Sequence, residues 1–179
     1  NQFTGARGVI GPPKGDDAKV QAVLHKYDIL CWADEVITGF ARTGNDFGCT
    51  TVGIEKPAMM TLAKQLSSAY MPISASVIRG DMYEAMIEPS TKVGVFGHGY
   101  TYSAHPVAAA VSLKTLEIYE RDNIVGHAAK VGEYMQKRVG EFRDDPHRMS
   151  TRLNSSHRGT SYAAFCVPTQ HLDVVDAKP

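Results

Sequence analysis

Apolar and polar residues follow two different periods along most of the chain. Short apolar runs, typical of buried strands, occupy residues 29–33, 59–63 and 73–78, and another at 9–13 ends in prolines. Apolar residues recur at helical spacing over residues 16–27, where Asp16 or Asp17 would cap the helix, and over residues 124–142. Two more helices are predicted to open at Gly80, where the helix is short, and at Pro106. Glycine-containing connections are predicted over 40–57 and 90–102, and strands alternating with helices indicate an α/β sheet.

Two charged residues follow apolar runs at equivalent positions. Asp34 comes directly after the run at 29–33, and Lys64 comes directly after the run at 59–63. Because ligands bind at the carboxyl edge of open parallel sheets, we expect both side chains to serve one site. A lysine can form a Schiff base with pyridoxal phosphate, and an aspartate can hold its protonated pyridine nitrogen. The alternative is a surface lysine and an aspartate that caps a turn.

Composition narrows the function classes without identifying one. The chain has 19 basic and 19 acidic residues, so its zero net charge predicts no electrostatic binding to nucleic acid or membranes. Hydrophobic residues make up 43% of the chain, enough for one core, and no apolar run approaches the roughly 18 residues of a membrane span. Cys31, Cys49 and Cys166 lack metal-ligand spacing, which predicts free thiols, no metal site and a reducing, cytoplasmic location. His98 and His105 are expected to be structural.

Several ordered motifs resemble those of class III pyridoxal-phosphate aminotransferases, in particular the omega-aminotransferases that use pyruvate as amino acceptor. The resemblance covers roughly residues 1–145 and rests on segments 8–13, 34–44, 63–72 and 98–106. It implies a fold-type I enzyme with a mostly parallel sheet flanked by helices. Residues 1–118 would be an incomplete large domain, and residues 119–146 would begin the helix that links it to a missing small domain.

The resemblance also implies an activity. An amino group would pass from an amine or ω-amino acid to a keto acid, expected to be pyruvate, in a homodimer with shared active sites. An aminomutase, epimerase or decarboxylase of the same cofactor class remains open, as does a non-catalytic α/β module. The chain alone is expected to be inactive, because the family's phosphate cup and substrate-carboxylate arginine are not among its residues.

The resemblance implies roles for five residues. Lys64 would be the catalytic Schiff-base lysine and later an acid/base, with burial favouring its neutral amine. Asp34 would pair with the pyridinium nitrogen as the second catalytic residue, and Val36 would pack against the ring. Thr101 would reach the cofactor phosphate from the neighbouring subunit. Glu35 would be structural and paired with a nearby cation.

Two residues depart from the family pattern around Lys64. Gln65 and Ala69 each stand where glycine is usual. If the turn after Lys64 requires a positive φ, Gln65 would be strained by about 1 kcal/mol or more. Arg42 follows the family pattern and is expected to be structural.

The last part of the chain resembles something other than a protein family. Residues 151–157 are what a common short-read sequencing adapter encodes, and the residues that follow differ from its continued translation by single-base changes. We therefore interpret residues 147–179 as a non-native, adapter-derived tail and expect it to be poorly packed.

Overall fold

A three-stranded sheet and five α-helices make up the part of the chain that the computed structural model describes, which is Gly11, Pro13 and residues 15–143. Of the predicted strand at 9–13, only Gly11 and Pro13 are among these residues, and the tail at 147–179 lies outside them. The elements are α1 (Asp16–Lys26), β1 (Trp32–Asp34), α2 (Gly48–Thr51), β2 (Met59–Leu62), β3 (Ala75–Ile78), α3 (Gly80–Val93), α4 (Pro106–Arg121) and α5 (Ile124–Arg143). A 3₁₀ turn spans Lys64–Leu66.

The sheet has the order β1-β2-β3 and is mixed. β1 and β2 are parallel, with Asp34 opposite Thr61, whereas β2 and β3 are antiparallel, with Met60 opposite Val77. The expectation of a mostly parallel sheet is therefore wrong for the described residues. The reason lies in the connection: a parallel neighbour requires a crossover, usually a helix, and residues 63–74 contain only the 3₁₀ turn.

Helix α1 begins with a glycine and not with an aspartate cap. Gly15 precedes it with φ of 84°, a left-handed conformation that favours glycine, and no side chain caps the helix. Asp16 and Asp17 lie in the first turn instead, where their negative charge interacts favourably with the helix dipole.

Helix α3 is longer than predicted and contains Pro89. Its last turn is supported by side chains: the Ser90 hydroxyl donates to the Met86 carbonyl and the Thr91 hydroxyl donates to the Glu88 carbonyl, both at 2.7 Å. The helix ends only at Gly94, where φ is 106°. The predicted loop therefore starts several residues later than its proline and glycines suggested.

Helices α4 and α5 confirm the predicted helical periodicity. They pack against each other, and α4 also contacts the 3₁₀ turn that carries Lys64. The Asn123 side chain accepts a hydrogen bond from the Gly126 N–H at the start of α5. Among the described residues, no helix is both long enough and apolar enough to cross a membrane.

Candidate functional site

Asp34 and Lys64 lie at the same edge of the sheet. β1 ends at Asp34 opposite Thr61, and the ladder continues for one more bond, from the Glu35 N–H to the Thr61 carbonyl at 2.9 Å. β2 ends at Leu62, and Lys64 follows after one residue. Since the two strands are adjacent and parallel, their carboxyl ends deliver the carboxylate and the amine to one edge, as the sequence predicts.

The Asp34 carboxylate lies on the exposed face of β1. Side chains alternate along the strand, so Trp32 and Asp34 share one face while Ala33 and Glu35 are buried on the other. The Trp32 indole N–H donates to the Thr61 hydroxyl at 2.7 Å across the strands. Asp34 Oδ1 accepts from the Val36 N–H at 3.1 Å, and among the described residues no donor is recorded for the second carboxylate oxygen.

Lys64 sits in a strained turn. Its φ is 47°, and Ser68 and Ala69 have φ of 49° and 64°. A left-handed conformation costs a non-glycine residue roughly 1–2 kcal/mol. The strain expected at Gln65 therefore falls on Lys64 itself, whereas Ala69 does occupy a conformation that favours glycine. The Lys64 side chain is exposed and not buried as expected, because its turn lies at the open edge of a three-stranded sheet.

Residues from two other elements hold Gln65, the residue that follows Lys64. With its amide oxygen facing Arg42, the Gln65 side chain accepts from Nε at 2.7 Å and Nη2 at 2.9 Å of the guanidinium. The Gln65 carbonyl accepts from the Tyr119 hydroxyl at 2.8 Å, and the same hydroxyl lies 2.9 Å from Ser68 Oγ. This contact supports the structural role expected of Arg42. Sequence reasoning missed Tyr119, because a tyrosine in an amphipathic helix carries no local signal of a contact 54 residues away.

Glu35 is fully buried and has a different partner from the one expected. Its carboxylate accepts from the Cys49 N–H at 2.6 Å, the Gly48 N–H at 2.9 Å and the Thr38 hydroxyl at 2.5 Å. Among the described residues no cation pairs with Glu35, contrary to expectation. Two backbone donors at the start of α2 and one hydroxyl solvate the charge instead, which ties the turn after Asp34 to α2.

The turn after Asp34 lies close to the start of α2, and this close packing affects Gly48 and Cys49. A Cβ added at Gly48 would lie 2.6 Å from Thr38 Cβ, so the site requires glycine. Burial, and then the nearby Glu35 carboxylate, raise the pKa of the Cys49 thiol to about 11. Burial also raises the pKa of Cys31. Both described cysteines are free, as predicted, and Cys166 lies outside the described residues.

The remaining predicted site residues are not all near this edge. Val36 is half-buried in the turn after Asp34. Thr101 lies instead in the exposed segment between α3 and α4, together with the exposed aromatic side chains of Phe96, Tyr100 and Tyr102. Within the described residues, no group of three or more histidines, cysteines or acids is arranged to hold a metal ion.

Known proteins with similar sequences are transaminases. The chain is 48% identical over 142 residues to the probable mitochondrial gamma-aminobutyrate transaminase 3 of Oryza sativa subsp. indica, a match that covers 79% of this chain and 28% of that protein. The chain thus spans little more than a quarter of that relative's length. The rice protein's name places it in mitochondria, and the cytoplasmic location expected for this chain stays a prediction.

Solved structures agree with the sequence comparison. An omega transaminase from Pseudomonas jessenii in complex with PMP is 47% identical with a TM-score of 0.78, covering 82% of this chain and 32% of that one. A transaminase with L-Ala is 52% identical with a TM-score of 0.77, covering 81% of this chain and 34% of that one. The family model for class III aminotransferases matches residues 2–156. With a strand-end aspartate and a lysine turn at one sheet edge, and this match over most of its length, the chain belongs to the class III aminotransferase family.

Proposed function

We propose that the chain is part of a pyridoxal-phosphate-dependent transaminase and forms a portion of the large domain of a fold-type I enzyme. The observation that carries the proposal is the delivery of Asp34 and Lys64 to one edge by adjacent parallel strands. Class III aminotransferases use pyridoxal phosphate, so these two residues are the catalytic and cofactor-binding pair. Residues 1–118 are assigned to the large domain and 119–146 to the start of the link to a small domain.

The side chains at this edge fit the cofactor's chemistry. Bound pyridoxal phosphate supplies an electron sink for the negative charge that develops on the substrate's α-carbon. The second carboxylate oxygen of Asp34, which accepts no hydrogen bond from the described residues, would hold the protonated ring nitrogen through a charge-assisted hydrogen bond. Lys64 would bind the cofactor covalently and, once the substrate amine has displaced it and freed its own amine, would move the α-carbon proton. Val36, half-buried beside Asp34, packs against the ring.

The similar proteins suggest the substrates. The rice relative is named for γ-aminobutyrate, an ω-amino acid, and one similar structure contains L-alanine, the amino product that pyruvate would give. We therefore assign an amine or ω-amino acid as donor and pyruvate as acceptor. The residues at this sheet edge do not distinguish between amine donors or between the two stereochemical configurations of the amine.

The exposed segment between α3 and α4 supports a homodimer with shared sites. Its aromatic side chains are largely exposed, and exposed apolar patches often mark protein interfaces. Thr101, in the same segment, would reach the phosphate bound to the partner subunit. Because the chain spans 28% of the rice relative's length, we expect the chain by itself to bind cofactor weakly and to have no transaminase activity.

Cofactor attachment tests the assignment of Lys64. The whole chain is incubated with pyridoxal phosphate, the absorbance band of the lysine-bound cofactor is recorded, and borohydride reduction is followed by peptide mass spectrometry. We expect the label on Lys64 and loss of the band in Lys64→Ala. Lys56→Ala is the matched control, since Lys56 is an exposed lysine that precedes the same strand.

Three results would each contradict a different part of the proposal. A label spread evenly over surface lysines, with a band that survives Lys64→Ala, would favour a non-catalytic α/β module. Conversion of γ-aminobutyrate and pyruvate to alanine at an ordinary enzyme rate, by the chain alone, would refute the expected inactivity. An intact parent that isomerises or decarboxylates amino acids without forming alanine would reassign the reaction within the cofactor class.

A further inference from the structure

The turn that carries Lys64 is held by bonds within it and by contacts from other elements. Lys64, Ser68 and Ala69 all have left-handed backbone conformations. Within the turn, the Leu66 N–H donates to the Ala63 carbonyl at 3.0 Å and the Ser68 N–H to the Gln65 carbonyl at 3.1 Å, whereas the two bonds to the Lys64 carbonyl itself are long, at 3.3 Å. Strained conformations persist only where surrounding structure determines them. The contacts made from other elements should therefore decide how the turn presents its lysine.

Tyr119 makes two of these contacts. Its hydroxyl donates to the Gln65 carbonyl at 2.8 Å. Because a phenol has one proton, the 2.9 Å contact with Ser68 must then be a bond donated by the serine hydroxyl. The Tyr119 hydroxyl oxygen therefore connects Gln65, which directly follows Lys64, with Ser68, a residue of left-handed conformation near the end of the turn.

The tyrosine is itself fixed. It lies in the 16-residue helix α4, and its ring packs on Phe40 at a centroid distance of 6.2 Å. Phe40 belongs to the loop that follows Asp34, and Arg42 in the same loop holds the Gln65 side chain. The Tyr119 hydroxyl thus connects the turn that carries Lys64 to helix α4. Through the ring contact with Phe40, it also connects this turn to the loop that follows Asp34.

We propose that Tyr119 is a positioning residue for Lys64: its hydroxyl fixes the direction in which the amine leaves the turn relative to Asp34. This inference rests on the proposed function, since the amine's direction matters only if Lys64 binds the cofactor. The hydroxyl does not contact the reacting atoms. Its effect is on the geometry with which the lysine meets the cofactor that Asp34 holds.

Titration with pyridoxal phosphate tests this role in the whole chain. Tyr119→Phe keeps the ring on Phe40 and removes only the hydroxyl. We expect its affinity for pyridoxal phosphate to fall about 3- to 10-fold, the range of one lost hydrogen bond. We also expect a changed midpoint in the pH titration of the absorbance band, because the lysine meets the cofactor in a different orientation. If Tyr119 had only a structural role, Tyr119→Phe would lower the unfolding midpoint measured by Trp32 fluorescence and leave the pH midpoint of the absorbance band unchanged.

Two further variants make the result decisive. Tyr134→Phe removes an exposed hydroxyl from α5 and should match the wild-type chain. Ser68→Ala removes the second partner and should weaken binding in the same direction, and it decides the question if Tyr119→Phe does not fold. Wild-type affinity and an unchanged pH midpoint in both Tyr119→Phe and Ser68→Ala would overturn the inference. A wild-type chain without any Lys64-dependent band would instead refute the proposed function.

Discussion

Replacing Glu35 by glutamine should destabilise the chain although the shape of the side chain is kept. The carboxylate is fully buried, and all three of its hydrogen bonds are accepted, from the N–H groups of Gly48 and Cys49 and from the hydroxyl of Thr38. An amide has only one acceptor oxygen. Whichever way it turns, its NH₂ group must face a donor that the carboxylate now satisfies.

The magnitude follows from the three bonds. If the amide oxygen keeps Gly48 and Thr38, the Cys49 N–H is left unpaired, at a cost of about 1–3 kcal/mol. The two remaining bonds lose their charge assistance, about 0.5–1 kcal/mol each. Removing a buried charge recovers part of its desolvation free energy, which opposes both losses. Because three donors already solvate the carboxylate, we expect the losses to dominate by about 2–3 kcal/mol.

Urea unfolding followed by tryptophan fluorescence measures this difference. Trp32 is the single tryptophan of the chain, and its indole bonds across the β1–β2 pair. Glu133→Gln makes the same chemical change on the exposed surface of α5 and should stay within about 0.5 kcal/mol of the wild-type chain. If Glu35→Gln were as stable as Glu133→Gln, the three bonds would contribute no net stability and the reasoning would be refuted.

Other substitutions test the strained and crowded positions. Ala69→Gly should stabilise the chain by about 1 kcal/mol, because Ala69 has φ of 64°. Ala110→Gly in helix α4 should instead destabilise it by about 1 kcal/mol. Changes of the same sign in the free energy of unfolding of the two variants, measured in urea, would contradict this. Gly48→Ala should cost about 1–3 kcal/mol in the same assay, since its Cβ would clash with Thr38, and an unchanged midpoint would refute that packing. Because folding raises the pKa of Cys49 to about 11 from an ordinary value of 9.0, its contribution to stability is complete below pH 9 and is lost as pH rises to 11. Two pKa units correspond to about 2.7 kcal/mol, which solvent screening lowers to about 2 kcal/mol, and the loss should be absent in Cys49→Ser, so parallel pH profiles of the two chains would contradict it.

The elements with strong periodicity could be predicted from the sequence. Helix α5 was expected over 124–142 and is found at Ile124–Arg143, and the strand expected over 59–63 is found at Met59–Leu62. Local signals failed where a side chain or the chain path decided the outcome. Helix α3 continues past Pro89 to Val93 with Ser90 and Thr91 hydroxyls bonded back to its carbonyls, and the short connection after β2 makes β3 antiparallel.

In the candidate site too, some residues could be predicted from the sequence and others could not. Asp34 and Lys64 could be located because each directly follows an apolar run, and such runs show in the sequence where a strand ends. The partners of Glu35 could not be found, because its donors are backbone groups 13 and 14 residues later, and any residue type carries a backbone N–H. Tyr119 was missed for a related reason, as its contact depends on how α4 packs.

The two unpredicted contacts explain how a short sheet edge can keep a defined geometry. Glu35 fixes the loop after Asp34 from the buried side, and Tyr119 fixes the turn at Lys64 from helix α4. The Arg42–Gln65 contact then joins the loop to the turn. Each predicted catalytic residue is therefore adjacent in sequence to a residue whose bonds reach a distant element: Glu35 follows Asp34, and Gln65 follows Lys64. A change that loosens either neighbour should alter the separation of the carboxylate and the amine without touching either group, which is why Glu35 and Tyr119 are as informative to mutate as the pair itself.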